Sequence, residues 1–203
     1  MIMCLSLYHA GAVLRVIAGY EGGHVALHQW DMPSKKWMVL SVSQPRPQPI
    51  LSLDKSLTQD CYFTSGADDA ITRHTLKVNR PTNNDGSELV EPDAVVHTKH
   101  SGQQSLRVRS DEKIFATAGW DTRVRIYSTK TMKEVAVLKW HKEGCYAVAF
   151  AVIQQDSPQP PLSIEQVKRE VATVRQRRGE KAKGAHWLAA GSKDGKVSLW
   201  EIY

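Results

Sequence analysis

The chain has 203 residues, 41% of them apolar, enough to bury the core of one domain or a little more, and nothing in the composition marks it as disordered. Its net charge is +6, but seven basic residues (Lys168, Arg169, Arg175, Arg177, Arg178, Lys181, Lys183) against Glu170 and Glu180 supply +5 of that, so the remainder is near neutral and a generally anion-binding protein is not indicated. There is no apolar run of about 18 residues to span a bilayer, no basic-plus-apolar signal segment, and no CxxC among Cys4, Cys61 and Cys145, so the expectation is a soluble, intracellular protein with core or half-buried thiols rather than a disulfide framework or a zinc cluster.

From the N-terminus, "MIMCLSLYHAG" reads as a strand, followed by the hairpin "IAGYEGGHVALH" (17–28) with Gly22 at its turn and by the strand "WMVLSV" (37–42). The pattern then recurs as "ILSLD" (50–54), the hairpin "FTSGADDAITRH" (63–74) turning at Asp68, and "AVVHT" (94–98). Between the last two, "VNRPTNNDGSELVEPD" (78–93) is polar, carries Pro81, Asp85-Gly86 and Pro92, and reads as a solvated loop. A third set consists of "SLRV" (105–108), "FATAGWDTRVRIY" (115–127) around Asp121, and "EVAVLKW" (134–140).

The fourth set opens with "YAVAFAV" (146–152) and is interrupted by 153–185, which begins Pro-rich and then turns helical. Ser163 with Gln166 forms a capping box, Ile164, Val167, Val171 and Val174 fall on one stripe, and Gly179 can end the helix. Three readings stand for its basic face, which includes Arg175, Arg177 and Arg178: a solvated face of a helix lying on the body, a partner-docking surface, or a nucleic-acid contact. After it comes "LAAGSKDGKVSLW" (188–200), turning at Asp194. Its last strand, 196–202, places Val197 and Leu199 on one face and Trp200 and Ile202 on the other, the pattern of a strand buried on both sides.

Gly22, Asp68, Asp121 and Asp194 lie 46, 53 and 73 residues apart, and the last interval becomes 40 without the 33 residues of 153–185. That is the period of a four-stranded propeller blade, with blades at about 1–44, 45–99, 100–140 and 141–203.

"VLKWHKEGCYAVAF" with "LAAGSKDGKVSLW" resembles a WD40 repeat, with His141 as the loop histidine, Asp194 as the turn aspartate and Trp200 as the strand tryptophan. Tyr127, His74 and His28 depart from that pattern where tryptophan would stand, and Ala190 lacks the expected hydroxyl. The resemblance implies an all-β WD40-type propeller: about four visible blades of an incomplete ring, the C-terminal part of a larger one, with a helical insertion in the last blade. It also implies a buried hydrogen-bond chain of His100, Asp121, Thr117 and Tyr127, and in the last blade His141, Asp194 and Trp200, one hydroxyl short. His100, Asp121 and Thr117 could also be read as a nucleophilic set, but the structural chain is the preferred reading. Neither GxGxxG nor GxxxxGK[ST] occurs and the eight histidines are scattered, so no cofactor, no metal and no enzyme activity are expected. Trp120 and Trp140 are expected on one face, either as aromatic anchors for a partner or as packing for the loops.

The ending "LAAGSKDGKVSLWEIY", the diluted "GYEGGHVALHQWD" and the basic insertion together are similar to the fungal ASTRA-associated family of WD-repeat proteins, related to a G-protein-β-like protein of animals. That resemblance implies a nuclear, non-catalytic subunit of the ASTRA assembly, linked to chromatin remodelling and to maturation of phosphatidylinositol-3-kinase-like kinases. Its partners would be protein subunits, with no membrane, no small-molecule substrate and no direct nucleic-acid contact. A substrate-receptor propeller of a ubiquitin ligase and a nucleic-acid-associated propeller using 168–183 stay open as other classes.

Overall fold

A computed structural model describes residues 1–77, 88–153, 179 and 184–203, with 88 and 89 as backbone. The first sheet holds β1 (Ile2–Ala10), β2 (Val13–Tyr20), β3 (Val25–Asp31) and β4 (Lys36–Ser43), and the second holds β5 (Ile50–Ser56), β6 (Cys61–Gly66), β7 (Ala70–Thr75) and β9 (Ala94–His97). The third contains β10 (Gln103–Val108), β11 (Ile114–Gly119), β12 (Val124–Ser128) and β13 (Glu134–Leu138); the fourth contains β14 (Cys145–Phe150), β15 (Trp187–Ser192) and β16 (Val197–Glu201). Within each sheet these strands run as an antiparallel meander, so the chain forms part of a propeller with four described blades.

The blades repeat in a detail that hydrophobic periodicity does not reveal. Every first strand carries a bulge at the same place, at Ile2/Cys4, Ile50/Ser52, Gln103/Ser105 and Cys145/Ala147. A bulge bends its strand and re-aims a side chain. The residues at these bulges reach the first strand of the next blade: Cys4 Sγ lies 3.7 Å from Ile50 O, the Leu106 N–H donates to Ser52 Oγ at 3.0 Å, and the Val148 N–H donates to Ser105 Oγ at 3.3 Å. Asp54 and Lys55 add two further stitches, to the Val108 N–H at 2.9 Å and to Ser6 Oγ at 3.0 Å.

Period-2 alternation gives each strand two apolar faces, and each face packs on a neighbouring blade. Tyr8, Ile17, Leu27, Ile50 and Tyr62 fill the first interface, and Phe63, Ile71, Leu106, Phe115 and Tyr127 fill the second. In the second, three rings stack in series, Phe63 on Phe115 at 4.6 Å and Phe115 on Tyr127 at 5.1 Å. Burying each such ring contributes about 1.5–3 kcal/mol. The third interface uses smaller side chains, among them Ala116, Ala118, Cys145 and Ala190 around Leu188. Cys61 and Cys145 are buried and Cys4 is half-buried. Burial pushes all three thiols up to about 11, so they remain protonated packing groups.

Two expectations are corrected here. β16 is buried on one face only: Ser198 is buried and Trp200 packs on the core, whereas Val197 and Leu199 are 68% and 62% exposed. The corresponding strand of the third blade, β12, has a neighbour on each side and is buried along Val124–Tyr127. Alternation reports that a face is apolar; whether a blade covers it is decided in three dimensions. The second correction concerns 78–93, read as a solvated loop. Its residues Glu88–Leu89, strand β8, pair in parallel with Ser41 and Val42 at the outer edge of the first blade, and the Val90 N–H donates to Val42 O at 2.9 Å. The segment thus covers an edge whose backbone groups would otherwise lack a strand partner. The helix expected at 163–178, with Arg175, Arg177 and Arg178, lies outside the described residues.

Candidate functional site

The turn aspartates and the loops entering each blade converge at one end of the sheets, and this end carries most of the buried polar chemistry. In the second blade the entering loop 44–49 alternates proline with polar residues and inserts Arg46 beneath the hairpin. Its guanidinium is almost fully buried: Nη1 donates to Asp68 Oδ1 and to Ala70 O, both at 2.6 Å, and Nη2 donates to Thr64 Oγ1 at 3.2 Å and Thr72 Oγ1 at 3.1 Å. Thr64 and Thr72 are cross-strand partners 2.6 Å apart at their hydroxyls, and Thr72 continues to His74 Nε2 at 2.9 Å. Burial, and then the nearby Arg46 charge, lower His74 to about 3, so it is neutral in the fold and stacks on Tyr62 at 4.8 Å. Gly23 shows how closely this loop is held, since at φ +81° a side chain there would meet the Arg46 carbonyl oxygen.

In the third blade the expected chain of His100, Asp121, Thr117 and Tyr127 is rewired. Asp121 accepts two bonds from Arg125, at 3.0 and 2.6 Å, and His100 Nδ1 stands 3.8 Å away on an exposed ring. Thr117 donates to Gln103 Oε1 at 2.9 Å, and Gln103 Nε2 donates to the His100 carbonyl at 3.1 Å. Among the described residues the Tyr127 hydroxyl is buried without a partner. The cause is cross-strand register: Arg125 faces Thr117 across the hairpin, and a planar guanidinium beside a carboxylate forms a forked, charge-assisted pair that a neutral imidazole does not match. Burial opposes ionisation of Asp121, but the bonds and charge of Arg125 hold its carboxyl below the ordinary value. Thr117, His100 and Asp121 are therefore not arranged as nucleophile, base and orienting acid.

The last blade is rewired too. His141 Nε2 meets Ser198 Oγ at 2.8 Å, and Trp200 Nε1 donates to the same oxygen at 2.9 Å. Ser198 is the cross-strand partner of Ala190, so the hydroxyl missing from β15 is supplied by β16. Asp194 instead pairs with Lys196 at 2.9 Å, which holds its carboxyl down at about 2. In the first blade, with Gly22 at the turn, the bond between the Tyr20 hydroxyl and His28 Nε2 at 3.3 Å is what remains.

Sequence reasoning missed Arg46, Gln103 and Ser198. Counting would have found Arg46, since it stands four residues before Ile50 as His141 stands four before Cys145, the first residues of β5 and β14. Trp120 and Trp140 share this end and are 43% and 52% exposed. Trp120 lies flat over Gly102, where φ is +78° and any Cβ would collide with the indole, and its Nε1 donates to Gln104 Oε1 at 2.9 Å. The Trp140 and His141 rings meet nearly at right angles, 4.9 Å apart, and the Trp120 backbone abuts Gly144 in the same connection. Among the described residues no three His, Cys, Asp or Glu side chains group as a metal site.

Meander blades, shared bulges and turn aspartates at one end define a WD40-type propeller, and the WD domain, G-beta repeat family model matches residues 94–128 and 182–201. Residues 94–128 and 182–201 thus carry WD40 repeats, and the described sheets have the fold of part of a WD40-type propeller. Along its whole length it is similar to fungal proteins named ASTRA-associated protein 1: 49% identical over 210 residues to that of Verticillium alfalfae, covering 100% of this chain and 50% of the relative, and 42% identical over 247 residues to that of Penicillium rubens, covering 100% and 55%. It is also 32% identical over 205 residues to the mouse protein named Guanine nucleotide-binding protein subunit beta-like protein 1, covering 100% of this chain and 49% of the relative. The chain therefore spans about half the length of these curated relatives.

Proposed function

We propose that the chain is a non-catalytic WD-repeat scaffold and a subunit of the ASTRA assembly, working in the nucleus in chromatin remodelling and in the maturation of phosphatidylinositol-3-kinase-like kinases. The observation that carries this reading is similarity along the whole chain to proteins named for association with ASTRA. The geometry supports the scaffold part: polar side chains at the loop end are spent on holding loops to hairpins, while two half-exposed indoles remain on a rigid rim, and aromatic anchors of this kind dominate many interfaces. Affinity purification of the full-length protein with mass spectrometry tests it. Enrichment of ASTRA subunits is the expected result; recovery of a ubiquitin-ligase adaptor in their place would overturn it.

A further inference from the structure

Between the outer strands of the second and third blades lies a groove of about 640 Å³, within the range of about 300–1,000 Å³ usual for ligand sites. Its apolar lining is Val96, Val137 and the buried Tyr127, whose hydroxyl has no partner among the described residues. Four cations, Lys99, Arg123, Arg125 and Lys139, line it against two carboxylates, Asp121 and Glu134. Both carboxylates are already engaged by Arg125, at 2.6 Å and 3.5 Å. Lys99, Arg123 and Lys139 form no ion pair among the described residues. The groove thus has an apolar lining and uncompensated positive charge.

The flanking strands narrow the choice of occupant. β9 and β13 are the outermost strands of their sheets, so one edge of each has backbone N–H and C=O groups with no strand partner among the described residues. An extended polypeptide satisfies such an edge with its own backbone, whereas a free anion or a nucleic acid does not. We infer that this groove docks an extended acidic peptide segment of a protein partner, with its carboxylates on Lys99, Arg123 and Lys139 and its apolar side chains against Val96 and Val137. The inference rests on the scaffold reading of the chain and adds the chemistry of one partner surface.

The test is fluorescence anisotropy on the full chain with a labelled peptide of alternating Glu and Val, a matched Lys and Val peptide, and a single-stranded DNA oligomer of equal charge. The acidic peptide should bind, the basic one should not, and added salt should weaken the complex because the charges are exposed. Lys99→Glu with Lys139→Glu should reduce affinity by about tenfold or more, whereas Lys35→Glu with Lys36→Glu, at the β3–β4 turn and the start of β4, should leave it unchanged. Hydrogen exchange should show peptide-dependent protection at 94–100 and 134–139, a readout that needs no variant. Equal binding of the acidic and basic peptides, affinity indifferent to the Lys99 and Lys139 reversals, or DNA binding as tight as the acidic peptide would each overturn the inference. Failure to recover ASTRA subunits alongside intact peptide binding would instead sink the assembly reading and leave the groove standing.

Discussion

The second and third blades both close their hairpin turns with an arginine on an aspartate, yet the two pairs differ in what they connect. Arg46 arrives from the loop that enters the blade, 22 residues before Asp68, and also holds both central strands through Thr64 and Thr72. Arg125 lies four residues after Asp121 in the same hairpin, so its pair satisfies a charge locally, and its longer contact to Glu134 at 3.5 Å stays within the same sheet. The third blade's entering loop is held instead by Gln103, through the His100 carbonyl. The same ion pair is thus a tertiary fastener in one blade and a local neutralisation in the other. Its energetic weight should follow the connection rather than the distance, since both are 2.6 Å at their shortest.

The sharpest test is Arg46→Ala. It would leave Asp68 without its countercharge and two threonine hydroxyls without their cation, and should cost about 3–5 kcal/mol in urea unfolding. A cost no larger than that of Arg125→Ala would break the comparison. Next in size is an acid effect led by His74 of the second blade, to which His28 of the first blade, also lowered by burial, adds in the same direction. His74 titrates at about 3 in the fold against an ordinary value of 6.5, so the unfolded chain takes up a proton first; stability from this group is complete above pH 6.5 and falls as pH drops toward 3. The loss should reach about 2 kcal/mol at pH 5, and His74→Phe should flatten the stability curve between pH 6.5 and 4. Asp121, also depressed, adds its own loss only below its ordinary value of 3.8, which separates the two windows.

In the third blade Asp121→Ala should cost about 1–3 kcal/mol, because it strands a buried guanidinium that retains only the longer contact to Glu134. A double-mutant cycle with Arg125→Ala should show that nearly all of this is shared between the two residues. The smallest effect expected is that of His100→Ala, within about 0.5 kcal/mol, since its exposed ring stands 3.8 Å from Asp121. Chemical denaturation resolves the two. A His100→Ala loss comparable to that of Asp121→Ala would restore the imidazole-centred network that the WD40 resemblance led one to expect.

Most of the fold was legible in the chain because strands and turns are local. Alternation over 105–108 and 115–127 and turn chemistry at Asp68, Asp121 and Asp194 name β10, β11, β12 and the hairpins before any packing is known. The candidate site was legible only in outline. His141 and Trp200 do belong to one hydrogen-bonded group, but the hydroxyl joining them is Ser198, visible only once Ala190 is seen to face it across the hairpin.

By itself the sequence determined the strand pattern, the blade period and the end of the sheets at which the aspartates gather, since each follows from residues a few positions apart. Tertiary structure decided which partner each aspartate takes, that Glu88–Leu89 returns to edge the first blade, and that Val197 and Leu199 stay exposed while Val124 and Ile126 are buried. The physical reason is that hydrogen-bond partners and burial depend on register and on the neighbouring blade. A side chain's chemistry states what it can bind, but only the approach of another strand or loop determines what it does bind.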